Sequence, residues 1–154
     1  MKVNPGVLHR FIVESNLIEG IKGAQAGEVE AAQEFLDSEP SISELQKFVV
    51  VCEPRAVLRD RPGLNVQVGA HFPPRGGPNI REDLTALVRG AVAKTSDPYE
   101  THIAYETLHP FTDCNGRSGR ILWAWQMVNQ VAELGLSLGF LHRWYYQSLS
   151  HSRR

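Results

Sequence analysis

Residues 109–120 read His109-Pro110-Phe111-Thr112-Asp113-Cys114-Asn115-Gly116-Arg117-Ser118-Gly119-Arg120, and their two flanks decide the fold class. Upstream, Asp97, Pro98 and Glu100 take the cap, first and third places of a helix carrying Ile103, Ala104, Tyr105 and Leu108. Pro110 disfavours a helical conformation in the residue before it, so this helix should stop at His109. Downstream, Ile121, Leu122, Trp123, Trp125, Met127, Val128 and Val131 are apolar on nearly every side, the pattern of a central buried helix. Residues 112–117 between them are polar or small and read as a loop.

Outward from this unit the periodicity stays helical. Val7, Leu8, Phe11, Ile12, Leu17, Ile18 and Ile21 recur at helical spacing, with His9, Arg10, Glu14 and Asn16 mostly opposite, predicting a first helix that ends near Gly20. Residues 27–36 place Val29, Ala32, Phe35 and Leu36 on one side of a second helix. Ser41, with Glu44 three residues on, resembles a capping box opening a third helix through Val51. Leu84, Leu87, Val88 and Val92 restore the same spacing over residues 80–93. Between Glu53 and Pro78, glycines and prolines recur and Leu64-Asn65-Val66-Gln67-Val68 alternates, which predicts a short hairpin or extended flap over residues 62–78. Residues 140–149, with Trp144, Tyr145 and Tyr146, are expected to cap the core. No repeat or linker divides the chain, so residues 1–154 are expected to form one all-α domain, a mainly helical bundle with a small β-hairpin flap.

Bulk composition narrows the function classes. The 154 residues, 42% of them hydrophobic, suffice for one buried core. Sixteen Lys and Arg against 17 Asp and Glu give a net charge of −1, without the basic field of a dedicated nucleic-acid binder, so nucleic acid is not an expected partner. Cys52 and Cys114 are too few for a disulfide framework and are expected to be free thiols, as in a reducing compartment. The N-terminal residues lack a secretory apolar core and no later stretch is apolar enough to span a bilayer. No membrane role is expected, and the cytoplasm is the expected compartment, with delivery into another cell left open.

The residue types in the 109–120 stretch suit one task. The start of a helix offers unpaired backbone N–H groups and a positive dipole end, which together favour a phosphate. Arg117 and Arg120, one turn apart, can add charge-assisted contacts to further phosphate oxygens. Asp113 is a hard oxygen ligand suited to magnesium, Asn115 can donate to a phosphate, and His109 can accept a proton near neutral pH. An isolated His-Pro-Phe is more often only a helix terminus. Here a base, an acid, an amide and two arginines converge in one loop.

This stretch resembles the signature of the Fic family, His-Pro-Phe-any-Asp/Glu-Gly-Asn-Gly-Arg-any-any-Arg, matching every specified position except Cys114, where the family has glycine. The likeness extends to His102, Tyr105 and Leu108 upstream and covers the chain from about Ser15 to Tyr146. It implies a helical bundle with a hairpin flap, ATP as donor and magnesium as its metal. It further implies transfer of AMP to a Ser, Thr or Tyr hydroxyl of a target protein, with His109 as base and Asp113 holding the metal. Asn115, Gly116, Arg117 and Arg120 would hold the phosphates. Self-modification, AMP removal, transfer of a different phosphate-containing group, and a weak or inactive nucleotide-binding relative are the alternatives. An ordinary helical φ is expected at Cys114, since cysteine is small, and its thiol reads as a packing residue.

Two further stretches resemble family features. Ser15-Asn16-Leu17-Ile18-Glu19-Gly20 is similar to the inhibitory motif Ser/Thr-any-any-any-Glu-Gly/Asn carried by a helix, here residues 1–21. Ser15 and Glu19 are four apart and share a helix face. The likeness implies that Glu19 pairs with Arg120 and takes the space a γ-phosphate needs. Val66, Gln67 and Val68 stand where the family's flap adds a target segment as an extra strand, although an ordinary surface hairpin has the same pattern.

Overall fold

The computed structural model describes residues 3–130. Within them the chain forms six helices: α1 (Pro5–Ile18), α2 (Glu28–Leu36), α3 (Ile42–Cys52), α4 (Pro78–Val92), α5 (Pro98–Leu108) and α6 (Asn115–Gln130). The fold is mainly helical, and each predicted helix within this span is present. Val131 and the aromatic segment 140–149 lie outside the described residues. No described helix is long and apolar enough to cross a membrane.

Local chemistry sets the helix starts. The Asn4 side chain accepts from the N–H groups of Gly6 and Val7, Ser41 from Glu44 and Asp97 from Glu100, each satisfying a donor that the first turn leaves unpaired. The predicted capping-box glutamate, Glu44, turns outward to Lys47 at 3.0 Å. Pro5, Pro78 and Pro98 occupy first-turn positions, where a missing N–H costs no ladder bond.

The helix α6 is the axis of the core. It packs on α1, α2, α3 and α5, and Ile121, Leu122, Ala124 and Gln126 along it are fully buried. Trp123 stacks on Phe11 of α1 with centroids 6.4 Å apart, and the Trp125 indole donates to the Ser38 carbonyl at 2.9 Å. Gly119 permits the close approach to α5, because a Cβ there would collide with the Tyr105 ring and the Glu106 carboxylate.

Two helices present faces other than those expected. On α1 the buried positions are Leu8, Phe11, Ile12, Ser15 and Asn16, while Val7 and Leu17 are exposed. Asn16 goes inward because its amide donates to the Gly23 carbonyl and to the buried Glu28 carboxylate, both at 2.9 Å, which folds the α1–α2 connection back on α1. On α5, Ala104 is exposed and Thr101, His102, Tyr105 and Glu106 are buried. The Tyr105 hydroxyl meets the Ser118 hydroxyl at 2.7 Å, so a polar seam joins α5 to α6.

The segment between α3 and α4 contains no run of paired strands. Val68 and His71 exchange backbone hydrogen bonds of 3.0 and 2.9 Å around Gly69-Ala70, forming a single antiparallel bridge. Leu64, Val66 and Val68 are half-buried and Asn65 and Gln67 exposed, as the alternation predicts. A second isolated bridge, Leu58 with Phe111, lays the start of this segment along the 109–114 loop.

Candidate active site

The site forms where α5 ends and α6 begins. His109 has φ 51° and ψ 63°, a left-handed C-cap whose N–H donates to the Tyr105 carbonyl. Its ring Nδ1 lies 3.1 Å from the Glu106 carbonyl. That contact favours the tautomer with hydrogen on Nδ1 and the lone pair on Nε2.

The turn into α6 is closed by a reciprocal clamp. Asn115 Oδ1 accepts from the Phe111 N–H and Nδ2 donates to the Phe111 carbonyl, both at 2.8 Å. The Asn115 side chain therefore braces the loop from a buried position. α6 begins at Asn115, so Asn115, Gly116 and Arg117 are its first turn rather than loop. Ser118 is the first residue whose N–H reaches back along the helix, to the Cys114 carbonyl at 2.9 Å, which leaves the three preceding amides ahead of the ladder.

Cys114 departs from expectation. Its φ is +67°, in the left-handed region, not the helical φ expected. Closure of the Phe111–Asn115 clamp leaves this residue to reverse the chain, while Asp113 Oδ1 accepts its N–H at 2.7 Å. A side chain in this conformation costs about 1 kcal/mol relative to glycine. The Cys114 side chain is 4% exposed and belongs to the buried core cluster, so it leaves the start of α6 uncovered.

Both arginines are buried. Arg117 donates Nη2 to Glu53 at 3.0 Å, and its Nε and Nη1 have no hydrogen-bond partner among the described residues. Burial opposes the charge on Arg117, and the neighbouring Cys114 and Glu53 more than offset it, so its pKa lies above the ordinary value. Arg120 donates Nε to Ser15 Oγ at 2.7 Å, and Nη2 to the Ser15 carbonyl at 3.1 Å and to Glu19 Oε1 at 2.6 Å. The Glu19 carboxylate lies so close over Gly116 that a Cβ there would strike it. An anionic group of the chain itself thus sits on the first turn of α6, where the helix dipole and a buried guanidinium both attract it.

Asp113 is exposed at the rim, with one oxygen held by the Cys114 N–H. Among the described residues no three or more His, Cys, Asp or Glu gather as a metal cage. A single fixed carboxylate fits magnesium, which takes one or two protein carboxylates and completes its shell with other oxygens and water. His109, Asp113 and residues 115–120 therefore share the α5–α6 junction, joined by Ser15 of α1 and by Glu19 at its C-cap. Val66, Gln67 and Val68 belong to the neighbouring extended segment.

Sequence reasoning missed Arg59, which organises this region. It is fully buried and donates Nε to the His109 carbonyl at 2.6 Å, Nη2 to Leu108 at 2.9 Å, and Nη1 to Leu64 and Pro74 at 3.0 and 2.9 Å. Its own N–H donates to the Pro110 carbonyl at 2.9 Å. One guanidinium thus ties both limbs of the extended segment to the end of α5, and burial lowers its pKa. Glu53, which orients Arg117, was missed as well. Neither residue stands in a local pattern that separates a buried charge from a surface one.

A scan against protein-family models returns no match to this chain, and a search of curated proteins returns none either.

Proposed function

We propose that this chain is a cytoplasmic protein adenylyltransferase of the Fic type, a helical bundle with a hairpin flap that moves AMP from ATP to a Ser, Thr or Tyr hydroxyl and is restrained by Glu19. The observation that carries this reading is the start of α6: first-turn amides ahead of the helical ladder, buried Arg117 with unused donors, and buried Arg120 already paired to a carboxylate. That combination is an anion seat, and its internal carboxylate is a stand-in for a phosphate.

His109 Nε2 takes the proton of the target hydroxyl while Nδ1–H stays fixed on the Glu106 carbonyl. The target oxygen forms a bond to the α-phosphorus as the bond to the bridging oxygen breaks, and pyrophosphate leaves. The amides of residues 115–117 and Nε and Nη1 of Arg117 receive phosphate oxygens, and Arg120 receives the terminal phosphate once Glu19 withdraws. Asp113 would hold magnesium, which when bound neutralises phosphate charge. Val66, Gln67 and Val68 would present an edge along which the target lies as an added strand.

The test is transfer of α-phosphate label from ATP to protein by Glu19→Gly, with His109→Ala added as control. Label in the first and none in the second is expected. If both bind ATP and neither transfers label, the adenylyltransferase reading fails.

A further inference from the structure

Residues 53–77 join α3 to α4, and their exposed charges are all of one sign. Arg55, Arg61 and Arg75 are exposed, while the only two carboxylates in the stretch, Glu53 and Asp60, are half-buried and already held by Arg117 and Arg81, each at 3.0 Å. Among the described residues no carboxylate pairs with Arg55, Arg61 or Arg75. The counterweight lies in residues 28–44, which carry six carboxylates and neither Lys nor Arg. Arg61 and Arg75 stand on facing limbs of the extended segment: the carbonyls of Arg61 and Leu64 pack so closely on Gly76 that a Cβ there would strike both. Farther along, Phe72 is 72% exposed directly after the Val68–His71 bridge, and the backbone N–H and C=O groups of Val66 and Gln67 have no hydrogen-bond partner among the described residues. Arg59 fixes both limbs to the end of α5, and His71 Nε2 lies 3.0 Å from the Thr107 carbonyl. An open backbone edge, an exposed aromatic and unneutralised arginines therefore share one short segment fixed beside His109.

We propose that this segment selects an extended, acidic stretch of a target protein: Arg61 and Arg75 face its Asp or Glu side chains, Phe72 an apolar one, and Val66 and Gln67 its backbone. The proposal rests on the docking role given above to Val66, Gln67 and Val68, and names the chemistry of what docks. Backbone pairing along an edge gives affinity with little sequence preference, so selection has to come from the side chains that flank it. A strand bearing carboxylates is drawn to the arginines and approaches faster, and a basic one is repelled. Nucleic acid would also meet the arginines. The open backbone edge, which a peptide can pair and a nucleic acid cannot, favours a protein segment.

The experiment follows the fluorescence anisotropy of a labelled peptide that alternates Glu with Val around one Thr, beside the same peptide with Gln or Lys in place of Glu, and a labelled single-stranded oligonucleotide. No ATP is present, so the binding result stands or fails separately from the transfer reaction. Wild type should bind the Glu peptide about tenfold more tightly than the Gln peptide and the Lys peptide least, with the gap closing as NaCl is raised, since each exposed ion pair is worth up to about fivefold. Arg61→Glu combined with Arg75→Glu should reverse that order, and Phe72→Ser should weaken the Glu and Gln peptides alike, by about tenfold. The replaced side chains are exposed, so both variants should keep the wild-type Tm, which separates lost binding from lost fold. Equal binding of the Glu and Gln peptides, an acidic preference that survives the charge reversal, tighter binding of the oligonucleotide than of the Glu peptide, or no binding of any peptide would each overturn the proposal. Self-association of wild type that the charge reversal abolishes would overturn it as well, giving the surface to residues 28–44 of a second copy.

Discussion

Replacing Glu19 with glycine removes the carboxylate that rests on the first turn of α6. The Arg120–Glu19 hydrogen bond is 2.6 Å long, with the Arg120 side chain 1% exposed and that of Glu19 38% exposed. A hydrogen bond between charged groups contributes about 1.5–3 kcal/mol when buried, and an exposed ion pair about 0–1 kcal/mol. This half-screened pair falls between them, at about 1–2 kcal/mol. Arg120 keeps its two contacts to Ser15, so the loss should stay near that value. For a domain of this size it lowers Tm by roughly 2–8 °C. A polyphosphate that takes Arg120 from wild type must first displace Glu19, so the same free energy opposes its binding. Glu19→Gly should therefore bind inorganic triphosphate and ATP about 5–30-fold more tightly, and Glu19→Gln should lie between. Isothermal titration and thermal unfolding, with and without triphosphate, measure both effects. An unchanged Tm together with an affinity within about twofold of wild type would refute the placement of this carboxylate on an anion seat.

Other consequences follow from the same geometry. Arg59→Met leaves four carbonyls without their donor, two of them at the end of α5, and should cost about 3–5 kcal/mol in urea unfolding. Arg59→Lys should recover only a minor part, since one ammonium cannot span both limbs of the extended segment. Cys114→Gly relieves a left-handed φ but loses a buried thiol, and should stay within about 1 kcal/mol of wild type, whereas Cys114→Val, β-branched in the same conformation, should lose about 2–3 kcal/mol. The Cys52 pKa is raised by its hydrogen bond with Cys114 and then by burial, so the folded state holds this proton more tightly than the unfolded state. Its contribution is complete below the ordinary thiol pKa and is lost as pH rises above about 9, at up to about 1.4 kcal/mol per pH unit. Cys52→Ala should flatten that alkaline slope in denaturation measured from pH 7 to 10.

The helices were legible because their signals are local. Asp97-Pro98, Ser41 and the apolar spacing of residues 80–93 act within one or two turns, and the backbone answers them wherever the rest of the chain lies. Chemistry packed into residues 109–120 was legible for a similar reason, since a helix end, a proline and a helix start must follow one another there. Inward-facing polar groups were not. Asn16 and Glu28 satisfy each other, and Tyr105 finds Ser118, through partners that sequence spacing does not reveal. Leu17 and Val7 were accordingly placed inside when the polar pair had taken the buried face.

By itself, then, the sequence determined a mainly helical domain with a base, a carboxylate and two arginines gathered at one helix junction. Tertiary structure alone decided three things: that Cys114 must turn left-handed, that both arginines are buried, and that Arg59 binds the end of α5 to the extended segment. Each depends on contacts between residues far apart in the chain. Until those residues meet, an arginine has no reason to leave water and a cysteine has no reason to accept a strained φ.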